Sequence, residues 1–418
     1  MRAGFARVDI TPPPGTRKIG WLKEIIGERA LDPLWARAAV VEDVAGGRVG
    51  IVVLDVLSVP WRFVCTVRAA VRSVPPDRLL VTATHNHAGP AIAREAMVQR
   101  EEAYTVETAR RAAAAVDASA AALAPAVAVS GRAGESSVSF NRRVVMADGT
   151  VRTHGSLADE GAVRIEGPVD PEVAVLAFHA PGGARLGLLV HHALHPTDHG
   201  GDEVFTAGWP GALCTALEAG VWPRAIFVQG ALGNISTQDP AGTPRPAMKQ
   251  VGEILAAAAG RAVATAGPAG PDETGSAAED LRLPYRDATE AEIRGTVRGA
   301  QRFIDAAIYD AVIPRALDKI RANGTQPATV HALRIGHTVL AALPCEPFVE
   351  LGLVLKATSP GSRRVWPLGC ANGMVGYVPT REAFARGGYE TTFIRGSHLA
   401  PEAGEMLVAA ASRCAAAA

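Results

Sequence analysis

The chain has 418 residues, 48% of them hydrophobic, with 42 basic and 42 acidic side chains. That is enough apolar material for a large core, and a zero net charge without a basic block excludes a nucleic-acid footprint. No apolar signal core opens the sequence, no stretch reaches membrane-spanning length free of charges and breakers, and the five cysteines form an odd set with no CxxC. The expectation is a cytoplasmic protein with no membrane span, no disulfides and no cysteine-held zinc.

The first predicted strand, Phe5 to Ile10, stops at Thr11-Pro12-Pro13-Pro14-Gly15, because prolines cannot continue a ladder. Ala36 to Val41 and Val49 to Leu57 are further strands. The second is almost wholly apolar, as a strand covered on both faces requires, and its Asp55 reads as a buried, hydrogen-bonded structural carboxylate. A helix over Arg62 to Arg72 leads to the apolar run from Leu79, so strand, helix and strand form a crossover unit. That run continues as Val81-Thr82-Ala83-Thr84-His85-Asn86-His87-Ala88-Gly89-Pro90. Read as strand, it puts His85 and His87 on one side, just before a turn.

Glu101 to Leu123 is alanine-rich and helical by propensity. Glu172 to Phe178 and Arg185 to Val190 read as an antiparallel hairpin, and the second strand runs into His191-His192-Ala193-Leu194-His195-Pro196-Thr197-Asp198-His199. Gly208 to Ala219 is a helix. Arg224 to Gln229 is a strand ending in Gly230-Ala231-Leu232-Gly233-Asn234-Ile235-Ser236. Pro246 to Ala264 is helical, Pro268 to Ala278 reads as a surface loop, and Thr289 to Ile320 as helix interrupted at Pro314. Thr329 to Ile335 and His337 to Leu343 pair as strands before Pro344-Cys345-Glu346-Pro347. A helix from Phe348 to Lys356, a strand near Arg364 to Cys370, a turn-rich tail and a helix over Glu402 to Ala411 complete the chain. No internal repeat is legible. Strands and helices interleave throughout, which predicts one large α/β domain over residues 1–418, a mixed β-sheet core flanked by helices with its site at strand ends.

Polar clusters follow apolar strands four times: His85/His87, His191 to His199, Asn234/Ser236 and Glu346. Imidazoles and a carboxylate converging on one crevice make an ordinary zinc shell. From the residues alone, His191, His192, His195 and His199 are nearly equal candidates. Glu346 beside Pro347 reads first as a cap for the next helix.

The sequence resembles the catalytic domain of the neutral ceramidases, amidases that split the N-acyl bond of ceramide. The shared marks run in order: Val8-Asp9-Ile10-Thr11-Pro12, Asp32 to Arg37, Thr82 to Pro90, Phe140-Asn141-Arg142, Glu166 to Val173, His195-Pro196-Thr197, Gly233 to Ser236, Leu343 to Glu346 and Gly376-Tyr377-Val378. The resemblance implies a zinc ion (Zn2+) held by His85, His195, Glu346 and Tyr377. It implies His87 as the active-site histidine, Arg142 as a substrate-facing arginine, Ser236 as nucleophile or substrate-binding group, and Tyr389 as a second tyrosine near the metal. Asn86 and Ala88 stand where the family usually has small hydroxylated residues, and the C-terminal sandwich domain of long members is absent. The expectation is therefore a zinc-dependent amidohydrolase that uses metal-activated water on a linear N-acyl amide smaller or more polar than ceramide. An esterase or lactonase with the same site, or a non-catalytic metal-stabilised binding protein, are the alternatives. An amphipathic candidate for lipid contact, Arg302 to Ile320 with Phe303, Ile304, Ile308, Asp305, Asp310 and Asp318, reads better as a helix packed on the core.

Overall fold

Three times along the chain the same run of elements is laid down: three antiparallel strands, a helix, a fourth strand parallel to the third, and a second helix. The computed structural model describes all residues except 22, 95–97, 288, 298–301, 303–305 and 394–396. The first unit is β1 Arg2–Asp9, β2 Trp35–Glu42, β3 Arg48–Leu54, α1 Trp61–Ala70, β4 Leu79–Ala83 and α2 Glu102–Ala121. The second is β5 Val127–Gly134, β6 Glu172–His179, β7 Arg185–His192, α3 Gly208–Gly220, β8 Ala225–Gln229 and α4 Met248–Ala264. The third is β9 Thr274–Pro284, an inserted α5 Ala306–Asn323, β10 Thr325–Ile335, β11 Thr338–Ala342, α6 Val349–Ala357, β12 Arg364–Leu368 and α7 Ala403–Ala417. Each unit closes its own mixed sheet, antiparallel except for the last pair: β3 with β4, β7 with β8, β11 with β12.

The near-continuous apolar strands are explained by burial on both faces. Val53 and Leu80 of the first sheet, Leu176 and Ile226 of the second, and Leu340 and Trp366 of the third share one buried cluster. The three sheets thus face one another across a common core. Their outer faces are covered by helices: α1 and α2 on the first, α3 and α4 on the second, α6 and α7 on the third. Each such buried Leu or Val contributes about 1.5–3 kcal/mol of transfer free energy, so the sheets are held together largely by apolar contact. A buried amide adds a polar tie where they meet. Gln229 donates from Nε2 to the carbonyls of Thr84 (2.8 Å) and Leu194 (3.0 Å), and its backbone carbonyl accepts from Gly369 N–H (3.1 Å).

Two local expectations need correction. Residues 274–278 of the expected loop belong to β9, which pairs with β10 along its whole length. Local composition was rich in turn formers there, and the ladder overrides it. Pro314 does not interrupt α5; it lies on the exposed side, where the carbonyl it strands can be hydrated. Of the amphipathic candidate, Phe303, Ile304 and Asp305 lie outside the described residues. Residues 306–320 belong to α5, which packs on the core as expected, burying Tyr309 and Ile313 against Phe393. Among the described residues no helix is long and apolar enough to cross a membrane.

Candidate functional site

The loops leaving β4, β7 and β11 run towards one point, one from each sheet. β4 ends at Ala83, and Ala83 N–H donates to the Cys370 carbonyl of the third unit (3.2 Å). His85 then takes a left-handed backbone, φ +63°, so the strand's alternation is already lost. His85 and His87 do share a site, but a turn rather than the pleat brings them together. From β7 the chain delivers His195, and from β11 it delivers Glu346, whose segment pairs with Tyr377–Val378.

The three histidines form a triangle. Their Nε2 atoms are 3.1 Å apart for His85–His195, 3.1 Å for His87–His195 and 3.3 Å for His85–His87. Each ring turns its Nδ1 to a backbone carbonyl: His85 to Leu57 (2.9 Å), His87 to Gly20 (2.7 Å), His195 to Leu232 (3.3 Å). A carbonyl only accepts, so each Nδ1 carries a proton, and the three Nε2 atoms converge on one point. Glu346 Oε2 lies 3.1 Å from His85 Nε2 and 3.8 Å from His195 Nε2, is buried, and has no hydrogen-bond donor among the described residues. Burial and the neighbouring His85 charge push the His87 pKa well below the ordinary histidine range, and burial, His85 and Arg142 do the same to His195. Burial alone would also lower His85, but the Cys370 sulfur and the Glu346 carboxylate beside the ring hold it well above that range. His85, His87 and His195 could hold a metal ion.

Above the triangle opens a cavity of 340 Å³, lined among others by Trp21, Leu57, Arg142, His154, Tyr377 and Tyr389. Arg142 is buried and aimed by Glu390, whose carboxylate accepts from Arg142 Nε (2.8 Å), Arg143 Nη1 (2.7 Å) and Thr153 Oγ1 (2.8 Å). Burial would raise the Glu390 pKa, but the two guanidinium groups prevail and hold it at about 2. Arg142 Nη2 donates to the Gly233 carbonyl (2.8 Å) and to the Tyr377 hydroxyl (3.3 Å). Burial and the Glu346 charge raise the Tyr377 pKa well above its usual value. The Tyr389 ring meets the Tyr377 ring edge-on at 5.8 Å.

Other expected residues have different places. Ser236 pairs with Phe140 in a two-residue ladder, its Oγ accepts from Gln238 N–H (3.1 Å), and it is not among the residues that line the cavity. Glu346 does not cap α6; Asn234 holds that helix start, accepting from Val349 N–H (2.9 Å). His191 stacks on Trp366, His192 lies 2.7 Å from Ser139 Oγ, and His199 pairs with Asp202. Glu390, His154, Trp21 and the carbonyls of Gly20 and Leu57 were not foreseen. Only Glu390, next to Tyr389, carried a local signal.

Fold and site together define a three-sheet α/β protein with a histidine cluster where the sheets meet. No known family model matches the sequence, and no curated protein sequence does. Solved structures do match. The neutral ceramidase from Pseudomonas aeruginosa superposes with a TM-score of 0.76 at 20% identity, over 99% of this chain and 74% of that one. A ceramidase complexed with C2 gives 0.76 at 19% identity over the same shares. The chain has a neutral-ceramidase-like fold.

Proposed function

We propose that this protein is a zinc-dependent hydrolase of a linear N-acyl amide, acting on a substrate smaller or more polar than ceramide. One observation carries the reading: three imidazole nitrogens and a carboxylate oxygen with no hydrogen-bond donor among the described residues converge below a cavity. Such a buried set of acceptors is costly without a cation among them. The donor set also suits zinc, whose ligands at about 2.0–2.1 Å stand roughly 3.3–3.4 Å apart in a tetrahedron. His85, His195 and Glu346 would hold the ion, and the resemblance adds Tyr377. Bound there, zinc supplies a Lewis acid and lowers the pKa of water towards ~7.

The chain's own residues do the rest. Arg142, with its charge fixed by Glu390, and the phenols of Tyr377 and Tyr389 line the wall an amide carbonyl would face. They would stabilise the negative charge that develops on that oxygen as water bonds to the carbonyl carbon. A neutral imidazole of the wall takes up the proton that the attacking water releases and, as imidazolium, gives it to the amine nitrogen as the C–N bond breaks. His87 and His154 line the cavity besides His85 and His195. The buried position of Ser236 favours water over an acyl-enzyme route. A volume of 340 Å³ is at the small end of the range for ligand pockets, about 300–1,000 Å³, so it suits a reacting amide with short flanks.

Elemental analysis should find zinc in the purified protein and none in His85→Ala or His195→Ala. A panel of short N-acyl amines, esters, lactones and detergent-dispersed ceramide then ranks substrates by kcat/KM. Short amides should lead; ceramide leading by roughly tenfold or more would overturn the size argument. Zinc binding with no turnover of any substrate would leave a metal-stabilised binding protein.

A further inference from the structure

We infer that Trp21 is the residue that sets the acyl-chain length of the substrate: its indole closes the apolar side of the cavity mouth, so that short acyl groups fit and longer ones are turned away. This rests on the amide-hydrolase reading above.

The cavity has two chemically distinct sides. Arg142 donates to the Tyr377 hydroxyl, and the Tyr377 ring meets Tyr389 edge-on, so these three gather on a polar side. Tyrosines apart, Leu57 and Trp21 are the large apolar side chains of the lining. They stand with His85 and His87: the Leu57 carbonyl meets His85 Nδ1, and the carbonyl of Gly20, next to Trp21, meets His87 Nδ1. With the amide oxygen at Arg142 and the tyrosines, an acyl chain is covered by Leu57 and Trp21. Leu57 is buried and packs with Ile19 and Ala91. Trp21 is 48% exposed, and of the residues that line the cavity only it and His154 are exposed, so these two form the rim. An acyl chain leaving Leu57 for the rim therefore meets the indole, while His154 leaves the polar side of the rim to the amine half.

The chain is shaped to hold that ring. Thr16–Ile19 pairs with Ile25–Gly27 on one side and with Gly89–Pro90, just beyond His87, on the other. Lys18 is buried and donates from Nζ to the carbonyls of His199 (2.7 Å) and Asp202, which ties this hairpin to the turn at 199–202. A buried ammonium is costly unless acceptors surround it, so the tie fixes where the hairpin lies. On that turn Gly200 and Gly201 form the bed of the indole. A Cβ on Gly200 would lie 3.2 Å from Trp21 Cε3 and 3.3 Å from His87 Cβ, and one on Gly201 would lie 3.5 Å from Trp21 Cε2. Two residues without side chains thus let the ring settle beside His87. A large, rigid aromatic fills space there at a low cost in conformational entropy.

The test is an acyl-length profile: kcat/KM of the zinc-loaded protein on N-acylglycines from acetyl to decanoyl. The proteins are wild type, Trp21→Ala, Trp21→Phe and Trp61→Ala, the last removing an exposed tryptophan of α1 that does not line the cavity. In wild type kcat/KM should rise about fourfold with each early methylene, the equivalent of about 0.8 kcal/mol per buried CH2, and fall once the chain reaches the indole. In Trp21→Ala the fall should move to longer chains and raise the decanoyl-to-acetyl ratio by about tenfold or more, the effect of fewer than two methylenes. Trp21→Phe should lie between, and Trp61→Ala should follow wild type. A Trp21→Ala profile parallel to that of wild type overturns the inference and leaves the hydrolase reading standing, as does the same shift in Trp61→Ala. Calorimetric binding of the matching carboxylates, acetate to decanoate, reads the length limit without turnover. A limit that moves in Trp21→Ala while wild type hydrolyses nothing upholds Trp21 and sinks the proposed function. A wild type that neither binds nor hydrolyses any member of either series overturns both.

Discussion

Arg142 and Arg143 are adjacent in the chain, and an arginine pair is by default solvated. Here both are buried and share Glu390, and Arg143 also pairs with Glu166. The arrangement separates their work: Arg143 is locked on two carboxylates, while Arg142 gives one edge to Glu390 and keeps the other for the cavity. Glu390→Gln keeps the shape and removes the charge. Breaking one partner of a buried ion pair costs about 3–5 kcal/mol, and a misplaced oxyanion donor costs about 10²–10³-fold in kcat. We expect lower kcat and stability at pH 7 with zinc content unchanged. The stability deficit should shrink as pH falls. Glu390 has a folded pKa of about 2, below the ordinary ~4.3. Its contribution is full above that ordinary value and is lost as pH falls through about 2. Urea melts from pH 7 to pH 2.5 read this directly, and a deficit constant over that range would count against the ion pair.

At the scale of elements, β3, α1 and β4 form the crossover that aims the His85 loop. Asp55 closes β3 and is fully inside. It accepts from Trp35 N–H (2.9 Å), and its own carbonyl accepts from Asn86 Nδ2 (3.3 Å). Burial outweighs the Arg37 charge and raises its pKa to about 7. Here the sign is the reverse of Glu390. The folded state prefers the protonated carboxyl, so stability is fullest below the ordinary value of ~3.9 and declines as pH rises towards about 7. Asp55→Asn retains an acceptor for Trp35 and cannot ionise. It should match wild type near pH 4 and exceed it by a few kcal/mol at pH 8, at an order-of-magnitude level. Thermal melts of both proteins across that range check it; parallel curves would show that Asp55 stays charged.

The whole molecule is three sheets meeting at one end, and each sheet contributes a residue to the histidine and carboxylate cluster. An ion bound there ties the three units to one another, so metal binding should appear as global stability. Ligand occupancy at 1,000 times Kd is worth about 4 kcal/mol. Chelation should lower Tm by several degrees, and zinc should restore it. No shift on removing bound metal would mean that the cluster is not a cross-link between the sheets.

Much of the scaffold was legible because it is local. Apolar runs, proline-glycine stops and alanine-rich segments mark strands, turns and helices through short-range sterics and burial, and three of the four polar clusters beyond strand ends contribute residues to the histidine and carboxylate cluster. The ordered motifs added the resemblance on which His195 was singled out. The threefold repetition of the units stayed hidden, because equivalent strands share only an apolar character, which many sequences satisfy. What the tertiary structure alone decided is long-range. It separated His195 from His191, His192 and His199, whose rings face other partners. It placed Glu346 at the histidines and gave the helix start to Asn234. It brought Glu390 to Arg142, 248 positions away. It also turned His85 out of the strand into a left-handed conformation and set His87 Nε2 level with its neighbours. Spacing along a chain fixes which side chains share a face; which faces meet depends on how sheets pack, and that is set by the core as a whole.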